Sequence, residues 1–152
     1  MATAPKPESR GLCPRRLLAI MSFMTHEIQV RVRYQETDQM GVLYHGNYFT
    51  FFEMGRTELL RSQGYTYREV EESGLFGVVV KAECSYHKPA KYDDLLTIRT
   101  TIKRLTRVKI EYEHHVLRSN ELLATGHMTL AFVDRAGNIQ RVPDWGQTEP
   151  QS

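Results

Sequence analysis

Seven large apolar side chains, Tyr48, Phe49, Phe51, Phe52, Met54, Leu59 and Leu60, fall within the sixteen residues from 47 to 62. On a helix of 3.6 residues per turn they cannot share one narrow stripe, and a helix that is apolar most of the way round is normally enclosed. The chain must therefore wrap something around this segment. Gly46 and Asn47 suit the start of such a helix, with Asn47 expected to cap it, and Gly64 suits its end. Gly55 lies inside it and costs about 1 kcal/mol of helix propensity, which predicts close approach by a neighbouring backbone. A shorter helix is expected from about Thr66 to Glu72, ending at Ser73 and Gly74.

Elsewhere the period is two. Ile28, Val30, Val32 and Tyr34 alternate with Glu27, Gln29, Arg31 and Arg33, which predicts a half-buried strand that carries Tyr34 inward at its end. Val78, Val80, Ala82, Cys84 and Tyr86 form the apolar side of a second run, which Pro89 terminates. Further strands are marked by Leu96 to Ile102, Val108 to Val116 and Leu122 to Phe132. Short turns near Leu105-Thr106 and at Ser119-Asn120 make these antiparallel hairpins, and the turn from Asp134 to Asn138 leads into a brief strand from Ile139 to Val142. One strand, one long helix and then four or five antiparallel strands give an α+β fold, a sheet of about five strands wrapped on one central helix.

The 152 residues allow one domain, expected from 25 to 143. Residues 1–24 lack periodicity and are expected to be a disordered or mis-assigned extension, with Met21 and Met24 as alternative starts; residues 144–152 are expected to be a flexible tail. The charged-then-apolar run from Arg15 to Met24 resembles a short signal peptide but lacks a small-residue cleavage pattern, so export is not expected. Twenty basic against eighteen acidic residues leave a net charge of +2, too small to imply a nucleic-acid or membrane surface. No run reaches the roughly 18 apolar residues that span a bilayer. Cys13 and Cys84 are too far apart to suggest a disulfide framework or a zinc site, which fits a reducing, cytoplasmic setting; Cys84 is expected to be a buried small hydrophobe. His114 and His115 are adjacent on a strand and point to opposite faces, so they do not form a metal pair, and no metal or cofactor is expected.

Reactive groups gather just before the long helix: the Tyr34 phenol, the Asp38 carboxylate, Gly41 and the His45 imidazole. A carboxylate near neutral pH can attack a carbonyl or deprotonate water, and a helix N-terminus presents backbone N–H groups to a developing oxyanion. Taken alone, an Asp before a helix is as readily a turn former. With Arg31-Val32, Thr37-Asp38, Gly41-Val42 and Asn47-Tyr48 at these spacings, the chain resembles the 4-hydroxybenzoyl-CoA thioesterase-like, hot-dog-fold acyl-CoA thioesterases. Tyr34, Asp38 and His45 are spaced as in the branch associated with the Tol-Pal system. Tyr86, Pro89-Ala90, Tyr92-Asp93 and Phe132-Val133-Asp134 extend the resemblance over about residues 27–143.

That resemblance implies hydrolysis of an acyl-CoA thioester, with Asp38 as nucleophile or general base and the backbone N–H at His45 as oxyanion donor. The His45 side chain would orient water, bond the thioester or assist the leaving thiolate. Tyr34 would hold Asp38 or line the acyl pocket. Tyr48 and Asn47 are candidate substrate contacts. The resemblance also implies a homo-oligomer, commonly a tetramer, with the site at a subunit interface. Glu53, at the helix position where another hot-dog branch keeps a glutamate base, is expected to pair with Arg56 or Thr57 instead. The basic residues Lys88, Lys91, Arg99, Lys103, Arg104 and Arg107 read equally well as phosphate contacts or as general surface charge. The competing functions are a non-catalytic acyl-CoA or acyl-carrier-protein binding module and a hot-dog enoyl-CoA hydratase or dehydratase.

Overall fold

The computed structural model describes residues 24–143, so the expectations for the N-terminal extension, Cys13 and the C-terminal tail lie outside the described residues. Strand β1 (Thr25–Arg31) is followed by a single 3-10 turn (Tyr34–Glu36), helix α1 (Asn47–Ser62) and helix α2 (Tyr67–Glu72). Five strands come next: β2 (Phe76–Tyr86), β3 (Leu95–Leu105), β4 (Lys109–Arg118), β5 (Glu121–Val133) and β6 (Ile139–Gln140). All pairings are antiparallel, in the order β1-β3-β4-β5-β2, with the two residues of β6 added opposite Phe132 and Val133 at the end of β5.

Directly opposed residues share a face of the sheet, and the pairs Ile28/Ile98, Val30/Leu96, Ile110/Leu130 and Tyr112/Met128 build the inner one. Helix α1 lies on it. Tyr48, Phe51 and Phe52 pack with Leu96, Ile98, Val116 and Ala124, while Leu59 packs with Val70, Ile102, Ile110, Leu130 and Phe132. Burying an aromatic side chain such as Phe51 or Phe52 contributes about 1.5–3 kcal/mol, so this face holds α1 in place. Cys84 is half-buried against the same cluster.

Two glycines set how close α1 comes. A Cβ on Gly55 would lie 2.3 Å from the Thr100 Oγ1 and 3.2 Å from the Ile98 Cγ2; the close neighbour is a pair of side chains on β3 rather than a backbone. A Cβ on Gly126 would lie 2.3 Å from the Phe52 ring. The enclosure of α1 is one-sided, since a single sheet covers one side of a cylinder: Thr50, Glu53 and Met54 face outward. Arg56 does not turn to Glu53 but lies over the Tyr67 ring, 5.2 Å from its centroid.

The alternation expected for β2 breaks in its middle. The register against β5 shifts between Val79 and Lys81, so Gly77 and Val79 oppose the buried Phe132 and Leu130, and after the bulge Ala82, Cys84 and Tyr86 oppose Met128, Gly126 and Ala124. One extra residue in the strand moves Val78 and Val80 to the outer face while leaving Ala82, Cys84 and Tyr86 inside.

Candidate active site

The site begins where β1 ends. Val32 is clamped to the turn after β2, donating its N–H to the Asp94 carbonyl at 2.9 Å and accepting the Asp93 N–H at 2.9 Å. The chain then leaves the strand direction because the Glu36 carboxylate captures three donors of Arg33: the backbone N–H at 2.8 Å, Nε at 3.0 Å and Nη2 at 2.7 Å. This fork closes the 3-10 turn and rotates Tyr34 out of the alternation. Tyr34 is 78% exposed, edge-on to Tyr92 with ring centroids 5.2 Å apart, and not inward as the strand period predicts.

Asp38 heads the next turn. Its Oδ1 accepts the Met40 N–H at 2.9 Å and the Val42 N–H at 3.4 Å, while its backbone N–H donates to the Val42 carbonyl at 2.9 Å. Asp38 is thus a turn former through one oxygen, and among the described residues its Oδ2 has no hydrogen-bond partner. A bridge between Thr37 and Leu43 closes this loop, and a second between Val42 and Lys91 lays it on the turn after β2. That turn is rigid: Asp94 Oδ2 accepts the Lys91 N–H and the Arg118 Nη1, each at 2.8 Å. Burial alone would raise the Asp94 pKa, but the Lys91 N–H and the Arg118 guanidinium outweigh it and hold the carboxyl below its ordinary value.

The loop meets the helix through one carbonyl. The Glu36 oxygen accepts both the Tyr44 N–H and the Asn47 Nδ2, each at 2.9 Å. Asn47 is therefore not the cap. Gly46 occupies that position without any side-chain bond, and Asn47 is the first helical residue, its amide spent on the loop. Among the described residues the N–H groups of His45 and Gly46 have no acceptor. They stand at the positive end of the α1 dipole, where unsatisfied donors favour an anion.

The remaining candidates surround this point. The His45 ring is exposed, 4.3 Å from the Tyr44 ring and 6.4 Å from that of Tyr86. Tyr48 is only 3% exposed, its ring edge-on beneath Tyr86 at 5.0 Å, so in the single chain it backs the site rather than opening into it. Burial raises the Tyr48 pKa, opposed by the Ala90 backbone. Two contributions were not legible as site features in the sequence. The Glu36 fork has a signal in the three-residue spacing from Arg33; Tyr86 is singled out only by the family resemblance, which gives no role to its hydroxyl, the donor to the His45 carbonyl at 2.8 Å.

Four of the six basic candidates are taken up by carboxylates: Lys88 by Glu121 at 2.5 Å, Arg99 by Glu27 at 2.6 Å, Lys103 by Glu113 at 3.5 Å and Arg104 by Glu111 at 3.9 Å. His114 faces the core and His115 the outer side of the sheet. Among the described residues no three His, Cys, Asp or Glu side chains gather as metal ligands, and no helix is long and apolar enough to cross a membrane. What the site offers is one carboxylate held by a single oxygen and two vacant N–H donors on the same loop.

The chain is 38% identical over 106 residues to the acyl-CoA thioesterase YbgC of Haemophilus influenzae, covering 69% of this chain and 78% of that one. A crystal structure from Bartonella henselae superposes with a TM-score of 0.75 at 37% identity, over 79% of this chain and all of the other. The DHNA-CoA thioesterase of Staphylococcus aureus superposes with a TM-score of 0.75 at 28% identity, over 77% and 80% of the two chains. The fold is the hot-dog fold, a sheet laid on one long helix. Residues 40–125, which include His45, Asn47, Tyr48 and Tyr86 and begin just past Asp38, match the thioesterase superfamily, and the chain belongs to that family.

Proposed function

We propose that this thioesterase-superfamily chain hydrolyses acyl-CoA thioesters, with water entering and a carboxylic acid and free CoA thiol leaving. Asp38 acts as nucleophile or as general base on water. The N–H groups at the start of α1 receive the carbonyl oxygen as it gains charge. The observation that carries this reading is the pairing on one loop of the Asp38 carboxylate, oriented through Oδ1 alone, with the unsatisfied N–H groups of His45 and Gly46. The likeness to YbgC supports the substrate class.

The exposed His45 ring is assigned to the leaving thiolate or the attacking water. Tyr34, exposed in the single chain, is assigned to the acyl pocket through its contact with Tyr92. Asn47 and Tyr48 contribute the floor of the substrate site. The spacing of Tyr34, Asp38 and His45 supports placement in the branch associated with the Tol-Pal system. The cysteine usage supports a cytoplasmic setting.

The working form is a homo-oligomer, a dimer or tetramer of these subunits. Edge strand β2 supports this: it is eleven residues long, with Val79 and Val80 47% and 52% exposed, and a long uncovered edge is a liability that a second copy relieves. Release of free CoA over a panel of acyl-CoAs tests the reading. The Asp38→Asn variant keeps the shape and loses the base, and turnover is expected to fall at least about a hundredfold. Near-normal turnover would overturn the assignment, and tight acyl-CoA binding without thiol release at every chain length would make the protein a binding module.

A further inference from the structure

Tyr86 stands at the last position of β2, on the inner face and directly opposite Ala124. The small partner leaves its ring free to lean across the sheet end, edge-on to Tyr48 at 5.0 Å and to His45 at 6.4 Å. From there the hydroxyl donates to the His45 carbonyl at 2.8 Å, joining residues 41 positions apart. Burial, with the Cys84 thiol adding to it, pushes the Tyr86 hydroxyl up to about 12, so it stays protonated and remains a donor at any working pH. The strand end that carries it is fixed, because the N–H groups of His87 and Lys88 both donate to the Leu123 carbonyl, at 2.8 and 3.0 Å.

The carbonyl it holds is not an ordinary one. It belongs to the peptide unit whose N–H is that of Gly46, and it follows directly on the N–H of His45, two donors without acceptors just before α1. Gly46 has no side chain to cap the helix; the Asn47 N–H, donating to the Tyr44 carbonyl at 3.0 Å, closes a turn around this peptide but makes no bond to the peptide's own oxygen. A hydrogen bond to a peptide oxygen also strengthens the N–H of the same unit as a donor, since the dipoles polarise each other.

We propose that Tyr86 is a positioning residue for thioester hydrolysis: by gripping the His45 carbonyl it polarises the Gly46 N–H of the same peptide unit and holds the turn that also presents the His45 N–H to the thioester oxygen. This rests on the reading of the site given above. It acts through the backbone and leaves Asp38 untouched, so its removal lowers kcat and spares KM.

The test is Tyr86→Phe in the full chain, which keeps the ring contacts and removes only the hydroxyl, measured beside wild type and Asp38→Asn on the fastest acyl-CoA. Expected are a kcat about tenfold lower, equivalent to about 1.4 kcal/mol, a KM within about twofold and an unfolding midpoint close to that of wild type. Two unreactive ground-state analogues separate positioning from pocket shape: a 2-oxoalkyl-CoA and an S-alkyl-CoA thioether should each bind Tyr86→Phe within about twofold of wild type. An unchanged kcat, or equal weakening of both analogues, overturns the proposal. Loss of turnover in Asp38→Asn together with an unaffected Tyr86→Phe removes this inference alone, whereas full turnover in Asp38→Asn removes the underlying reading and this inference with it.

Discussion

The two ends of α1 are finished in opposite ways. At the C-terminal end the Gln63 and Tyr65 N–H groups go to the Leu60 carbonyl, the Gly64 N–H to Arg61 and the Ser62 hydroxyl to Leu59, so the carbonyls of Leu59, Leu60 and Arg61 are satisfied beyond the helix's own bonds. At the other end Gly46 caps without a side chain and two N–H groups just before the helix stay empty. Vacant donors cost stability unless a ligand or water fills them. At this end of α1 the unfilled donors stand beside Asp38 and His45. A finished end belongs to folding, and an unfinished end among reactive side chains belongs to chemistry.

Both ends rest on the same support, and the largest expected effect lies there. His114 is wholly buried, stacked on Phe52 at 4.6 Å, with Nδ1 3.0 Å from the Thr100 hydroxyl and Nε2 without a partner. Burial, with smaller contributions from Arg56, His127 and His115, lowers its pKa to about 3. A folded pKa below the unfolded value of about 6.5 means that stability is fully present above pH 6.5 and is lost as pH falls toward 3. The slope approaches about 1.4 kcal/mol per pH unit, roughly 2 kcal/mol between pH 6.5 and 5. Urea unfolding across that range should show this loss in wild type and lack it in His114→Gln. Parallel profiles would show that the support under α1 is open to water.

Next in size is the tie between loop and helix. Asn47→Ala removes the Nδ2 bond to the Glu36 carbonyl, a net loss of about 1 kcal/mol. It also releases the segment that carries Asp38, so kcat should drop about tenfold, a larger fraction than the stability change alone implies. If unfolding shows the cost while CoA release does not change, the N-terminal end is no more tied to chemistry than the C-terminal end, and the contrast fails.

How much of this was readable in the chain depends on how local each feature is. The bounds of α1 follow from its own residues, and the turn at Ser119-Asn120 follows from two residue types that tolerate the observed φ of 48° and 67°. Asp38 stands out by type and place. Alternation misplaces Tyr34 because the Glu36 carboxylate outcompetes strand continuation, a side-chain capture that a period of two does not register. Alternation puts Val78 and Val80 on the wrong face of β2 because its bulge is a property of the pairing with β5, not of its own composition. The role of Asn47 depends on where the Glu36 carbonyl arrives, and that of Tyr86 on a bond across 41 residues. Separation in sequence, more than chemical subtlety, hid the positioning residues.

The smallest effect sharpens the contrast from the finished end. Gly64 has φ +88°, a left-handed conformation that closes the helix and in which an L side chain is strained. Gly64→Ala should cost about 1 kcal/mol through that strain, with open space around the added methyl and no clash to complicate the reading. Because the C-terminal bonds of α1 lie a full helix length from Asp38 and His45, kcat and KM should remain those of wild type at temperatures where the variant is folded. Asn47→Ala and Gly64→Ala thus form a matched pair: similar costs in unfolding, at opposite ends of one helix, with only the first reaching turnover. A loss of kcat in Gly64→Ala under folded conditions would mean that α1 transmits strain along its length, and that the division between a structural and a chemical end does not hold.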